Sequence, residues 1–417
     1  MHTRRTPARP TARLVARLTG AAALGLAALL AAGPVSAGTS APRLTVPGTA
    51  TLIIDGHGWG HGHGMSQYGA EGAARHGLSA QQIVRFYYPH TTSGAQGGTV
   101  TVWISGDTDD NTTVVARRGL QVRDLGRGST VRVPTSGKAA HATRWRMSGD
   151  GSGGTRVRYR TTTWHTWRTL AGDGEFRSTG PHLTLVLADG RQVTYRGTLR
   201  SMGPIAGHPG RITVNKVSLE GYVRGVVPRE MPASWHQAAL RAQAIAARTY
   251  AANGLGDPLS ARAALCDTTS CQVYGGLSAE DPRSNQAVVS TARQVRLYQG
   301  HPAFTQFASS NGGWTAASPS GQPYLDAHQD PYDGWSGNPV HSWSTKVTSR
   351  QIEHHWPGIG NLTSITFSRD GNGQWGGRVL SMTLHGRKGG SATSRSLSGD
   401  DFRLAFGLRS TWFRLST

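Results

Sequence analysis

Acids are scarce in this chain of 417 residues: 23 Asp and Glu stand against 44 Lys and Arg, for a formal charge of +21. Cysteine is scarcer still. Cys266 and Cys271, in CDTTSC, are the only two, so stability cannot rest on a disulfide framework and the chain must bury a real core. The longest small-apolar run, Ala21 to Ala32, is short and alanine-rich for a span that needs about 20 strongly apolar residues. H-E-x-x-H, G-x-S-x-G and any phosphate-cradling loop are also missing, which argues against zincin, nucleophile-elbow and nucleotide chemistries. GMSQYG leaves Ser66 outside the elbow pattern, and Glu353-His354-His355 lacks helical ligand spacing. No helix-turn-helix or zinc-finger spacing points to nucleic acid.

What is present begins with a basic leader. Arg4, Arg5, Arg9, Arg13 and Arg17 occur with no acid in the first 37 residues, the apolar run follows, and Val35-Ser36-Ala37 completes a secretory signal peptide with a cut after Ala37. The remainder is still basic and, once exported, should seek an anionic polymer; outside a bacterial membrane that polymer is the wall. An arginine-rich genome would explain the same bias. In an exported chain a close cysteine pair favours a disulfide, and a metal site at Cys266 and Cys271 would want a third ligand that no histidine between His236 and Cys266 supplies.

The chain divides into four segments: signal peptide 1–37, linker and glycine-histidine segment 38–98, β-rich region 99–210, and 211–417, where the helical period returns. Ser79 and Gln82 have capping-box spacing, and Ile83, Phe86 and Tyr87 recur at helical intervals until Pro89. TVTVWIS alternates Val100, Val102 and Ile104, and LTLVLADGRQVTY sets two alternating runs around Asp189-Gly190, a hairpin signal. Leu219, Tyr222, Val223 and Val226 predict a helix ending near Pro228; Ser234 predicts the cap of a second, running to Asn253-Gly254. Glu230 then sits in a turn bounded by Pro228 and Pro232, held beside Trp235, where partial desolvation would raise its pKa toward that of a general acid. The spacing fits an ordinary capping or salt-bridged glutamate as well.

Residues 56–70 read GHGWGHGHGMSQYGA, six glycines around three histidines and a tryptophan. His57, His61 and His63 are separated by even numbers of residues, so an extended backbone would direct all three to one side, and a zinc ion there is an alternative. Such glycine content has an entropic cost that a mere linker does not require. In a sugar groove Trp59 would supply an apolar face, and His61 and Gln67 hydrogen bonds.

The stretch VNKVSLEGYVRGVVPREMPASWHQAALRAQAIAARTYA, with CDTTSCQVYGG, SSNGGWT, PYLDAHQDPYD and GLRSTWF in order, resembles the SpoIID/LytB family of bacterial wall proteins. GWGHGHGMSQYGAEGAARHGLSAQQIVRFYYP resembles a signature of that family. The signature usually lies near the C-terminal end of the domain and here comes first, as in a circular permutation, so it should return to the same cleft. The resemblance implies a peptidoglycan lytic transglycosylase of α+β fold: a helical catalytic core, an antiparallel β region, and the glycine-histidine segment packing back on the core. It implies Glu230 as acid and base, with Arg248 and His61 as further catalytic residues. Arg241, two turns before Arg248 and on the same helix face, and Ser309 and Asn311 of SSNGG join Trp59 and Gln67 as expected sugar contacts. Such an enzyme needs one carboxyl group, whereas a glycoside hydrolase generally needs a pair; Asp267, Asp326, Asp330 and Asp333 are candidate partners. The expected substrate is the glycan strand, with no cofactor, no nucleic acid and at most peripheral membrane contact. The alternative is a non-catalytic wall-binding protein that stimulates a separate amidase.

Overall fold

The strand Thr51–His57 lies between Ser342–Thr348 and Phe413–Ser416, antiparallel to both, so the glycine-histidine segment is delivered from a sheet built with the C-terminal end of the chain. Leu52 and Ile54 point inward along that strand by its period of two and join Val347, Ile352, Phe402 and Phe413 in one hydrophobic cluster. The computed structural model describes residues 43–417; the expected signal peptide lies outside them. Among the described residues no helix is long and apolar enough to cross a membrane.

The fold is mixed α+β. Helices Gln67–Arg75 (α1), Ala80–Tyr87 (α2), Leu219–Glu230 (α3), Gln237–Asn253 (α4) and Pro282–Ser290 (α5) surround the larger hydrophobic cluster, and Ser349–His355 (α6) and Gly399–Ala405 (α7) pack on the C-terminal sheets. α4 is the centre. Its alanines let the other helices approach closely, and Ala239, Leu240, Ala242, Ile245, Ala246 and Ala247 are buried around its whole circumference. Ser79 and Gln82 form the capping box expected of α2.

Two helix boundaries differ from the sequence reading. α3 runs through Pro228 to Glu230, because a proline in the last turn forfeits one bond while the Met231 amide still closes on the Val227 carbonyl at 2.9 Å. α4 begins after His236, whose side chain accepts from the Ala238 amide; Ser234 falls instead within a turn that the Trp235 amide closes on Pro232.

The β region holds a seven-stranded and a six-stranded sheet. Thr99–Trp103 pairs with Ile212–Ser218, which carries the β region past 210, where helix had been expected to resume. The runs His182–Val186 and Gln192–Arg196 form the expected hairpin, with Ala188, Asp189 and Gly190 looping between the paired Leu187 and Arg191. Much of the chain beyond 340 is also strand: Asn361–Arg369, Val379–Lys388 and Ser391–Ser398 form an antiparallel sheet, so helices and strands share the segment 211–417.

Candidate active site

Alternate glycines shape the first wall of a cleft. Gly58, Gly60, Gly62 and Gly64 all have φ between +64° and +110°. A Cβ would stand 2.6 Å from the Ser310 carbonyl oxygen at Gly58 and 2.1 Å from that of Gln306 at Gly64. The segment therefore lies flat on residues 306–312, exchanging bonds between Trp59 and Ser310 and pairing Met65–Ser66 with Phe307–Ala308. These left-handed positions also break the even alternation expected of the histidines. His57 turns away, stacking on Trp375 at 4.5 Å with Nε2 2.7 Å from Gln374 Oε1. His61 and His63 stack on each other at 4.9 Å. Among the described residues no three His, Cys, Asp or Glu side chains gather as metal ligands.

The cleft encloses about 760 Å³ and brings together Trp59, His61, Gln67, Glu230, Tyr250 and Ser309, with Arg229, Phe307 and Arg403 at its sides. Glu230, the last residue of α3, is fixed at both oxygens: the Val273 amide donates to Oε1 at 2.7 Å and Gln67 Nε2 to Oε2 at 3.4 Å. Burial raises its pKa above 4.5, opposed by those two donors and by the Arg229 charge. His61 Nδ1 accepts the His63 amide at 2.9 Å, which leaves Nε2 to carry the proton. Its ring is open to the cleft but enclosed on the protein side; that enclosure, His63 and the Arg378 charge hold it below the usual imidazole range, hence neutral. Trp59 is 52% exposed, with Arg409 5.5 Å over its ring, and so offers an apolar platform.

Three expected site residues are elsewhere. Arg248 is fully buried, pairs with Glu220 through two 2.8 Å bonds and donates to the Ala244, Gln294 and Val288 carbonyls, so it braces α3, α4 and α5 and does not reach the cleft. Arg241 does not line the cleft either. Asn311 is buried beneath it, with Nδ2 on Asp330 at 2.7 Å and Oδ1 accepting from the Gly313 amide. None of the four candidate aspartates lines the cleft. Asp267 binds Ser105, Asp326 pairs with His328, and Asp330 accepts from Tyr87. Asp333, fully buried, accepts from Ser66, Ser310, Asn338 and the Asn311 and Gly312 amides, with His341 at 2.8 Å. Asp333 thus ties SSNGG to the N-cap of α1 and Asp330 ties it to the end of α2, because a buried carboxylate requires such donors.

Cys266 and Cys271 are bonded to each other, Cα to Cα 5.5 Å. Thr269, Ser270 and Cys271 of that short loop form one rim, and Val273 follows it. The Val273 amide, Tyr250, Arg229 and Arg403 escaped the sequence reading. A backbone donor has no residue signature, and Arg403 reaches the cleft from α7 by tertiary packing.

A sequence model of the Stage II sporulation protein family (SpoIID) matches residues 208–298, which contain Glu230 and the disulfide loop. The Amidase enhancer of Bacillus subtilis is 39% identical over 135 residues, 31% of this chain and 17% of that protein. Stage II sporulation protein D of Bacillus amyloliquefaciens is 29% identical over 223 residues, 48% of this chain and 61% of that protein. The chain thus spans under two thirds of the length of either relative. The matched family segment places a SpoIID-type segment around Glu230 and the disulfide loop, and the chain is similar to these two relatives over part of their length.

Proposed function

We propose that this protein is an exported lytic transglycosylase that cleaves peptidoglycan glycan strands, in sporulation or in wall remodelling. One observation carries the reading: among the described residues that line the cleft, Glu230 is the sole carboxylate. Hydrolysis by the usual routes asks for a second, whereas intramolecular transfer does not. Glu230, raised toward neutrality by burial, protonates the glycosidic oxygen as the bond to the muramic anomeric carbon breaks. The resulting carboxylate then takes the proton of the sugar's own C6 hydroxyl as that oxygen attacks the same carbon. The product is a 1,6-anhydro end and no water is consumed. The Val273 and Gln67 donors support the carboxylate form between the two steps, and burial supports the acid form, so one group serves in both directions. Trp59 supplies the platform for a sugar ring, and neutral His61 a donor beside it. The expected partners are the glycan strand and, on the second reading, a wall amidase, with no cofactor.

The relative named Amidase enhancer supports a second reading, a non-catalytic wall-binding protein acting through a separate amidase. Incubating the purified protein with isolated glycan strands and weighing the products separates them. Ends lighter by one water than reducing ends establish transglycosylation; ordinary reducing ends would mean hydrolysis, and no cleavage, with amidase stimulation retained by Glu230→Gln, would leave the second reading.

A further inference from the structure

The six-stranded sheet has a face that the cleft does not use. Along Arg144–Gly149 and Thr155–Arg160, alternation sends Trp145, Met147 and Val157 into the core and leaves Arg144, Arg146, Arg156, Arg158 and Arg160 half-buried on the other side. The antiparallel register sets Arg158 directly opposite Arg146 and Arg160 directly opposite Arg144. Like charges so placed are destabilising. Yet among the described residues no carboxylate lies within salt-bridge distance of any of the five. Asp107 and Asp109 attract Arg146 at longer range, and Arg158 and Arg160 act against them. The sheet thus holds arginine positions repeating about every 6.6 Å along a strand and about 5 Å between strands, an array that a single anion would leave mostly uncompensated.

We propose that this face binds a polyol-phosphate polymer, with successive phosphodiesters seated along the opposed Arg146–Arg158 and Arg144–Arg160 pairs. The planar guanidinium fork suits phosphate oxygens two at a time. Of the neighbouring rings in the adjoining strand, Trp164 has Arg146 over it at 4.4 Å, and Trp167 packs on the core side against Trp145 at 5.2 Å. With Trp167 turned to the core and one side of Trp164 covered by Arg146, the face has little ring surface for base stacking, the means by which single-stranded nucleic acid is usually held. The face therefore reads a charged backbone, and it does so independently of the chemistry at Glu230.

The experiment titrates the full chain with a polyglycerol-phosphate chain at several salt concentrations, and repeats it with Arg158→Gln/Arg160→Gln and with Arg350→Gln/Arg387→Gln, which removes the same charge from exposed positions elsewhere. Affinity should fall about tenfold or more in the first variant, with a salt slope smaller by about two, and stay unchanged in the second. The first variant should melt no lower than the parent, since it relieves repulsion. Equal losses in both variants would assign binding to net charge alone and overturn the proposal. So would no binding by the parent chain, tighter binding of single-stranded DNA through the same arginines, or a lower melting temperature, which would make these arginines structural.

Discussion

Gln67 Nε2 lies 3.4 Å from Glu230 Oε2 although 163 positions separate them in sequence. Gln67 opens α1 directly after the glycine-histidine segment, and the Val273 amide that holds the other oxygen follows the disulfide loop. Three distant segments thus converge on one carboxyl group that burial pushes toward its acid form. A group positioned from three sides loses little entropy on meeting its substrate.

Replacing Glu230 by Gln should lower glycan cleavage by about 10²- to 10⁴-fold, read as the single-turnover release of anhydro ends. The parent rate should decline as pH rises through the raised pKa, because the acid form is the one that starts the reaction. Stability carries the matching sign. A carboxyl whose folded pKa is raised favours the folded state fully below its unfolded value near 4.5, and loses that contribution as pH rises through the folded value. Glu230→Gln should therefore melt above the parent at neutral pH, with the gap closing in acid.

His61 lines the cleft and His63 does not. His61→Ala should slow cleavage at least about tenfold with an unchanged melting temperature, as loss of a positioned donor does. His63→Ala should be mild, since the bond to His61 Nδ1 comes from the His63 backbone amide and survives the substitution. Equal effects in the two variants would remove His61 from the chemistry.

Arg248→Ala should destabilise the fold by about 3–5 kcal/mol by leaving Glu220 without its partner, while the rate per folded molecule stays near that of the parent. Arg248→Lys should recover part of this, keeping the charge without the fork. A rate loss at unchanged stability, by denaturant titration and single turnover together, would return Arg248 to the catalytic group.

Two glycines separate backbone conformation from close approach. Gly77→Ala meets only the left-handed φ of +84°, with nothing within 4 Å, and should cost about 1 kcal/mol. Gly64→Ala adds a Cβ 2.1 Å from the Gln306 carbonyl oxygen and should cost about 3 kcal/mol or more in the same denaturation measurement. It should also lower cleavage, because the displaced strand carries His61.

Local rules sufficed where local forces decide. The capping box of α2, the inward alternation of Val100 and Val102, and the hairpin at Asp189-Gly190 depend on residues a few positions apart, and all were legible. The family motifs likewise pointed to Glu230 and to the glycine-histidine stretch. Sequence could not say which way a charged side chain of α4 faces, since a helix buried all round has no solvent side to read; tertiary packing turned Arg248 inward to Glu220 and left Arg241 off the cleft. Nor could it assign the aspartates, whose need for donors was met by Ser66, Ser310 and Asn338 from three separate segments. The sequence by itself determined the short-range elements and pointed to Glu230 as the group to examine. Only the tertiary structure decided that, among the described residues, a single carboxylate faces the cleft, because that depends on which buried charges find partners elsewhere, and partners distant in sequence are chosen by packing.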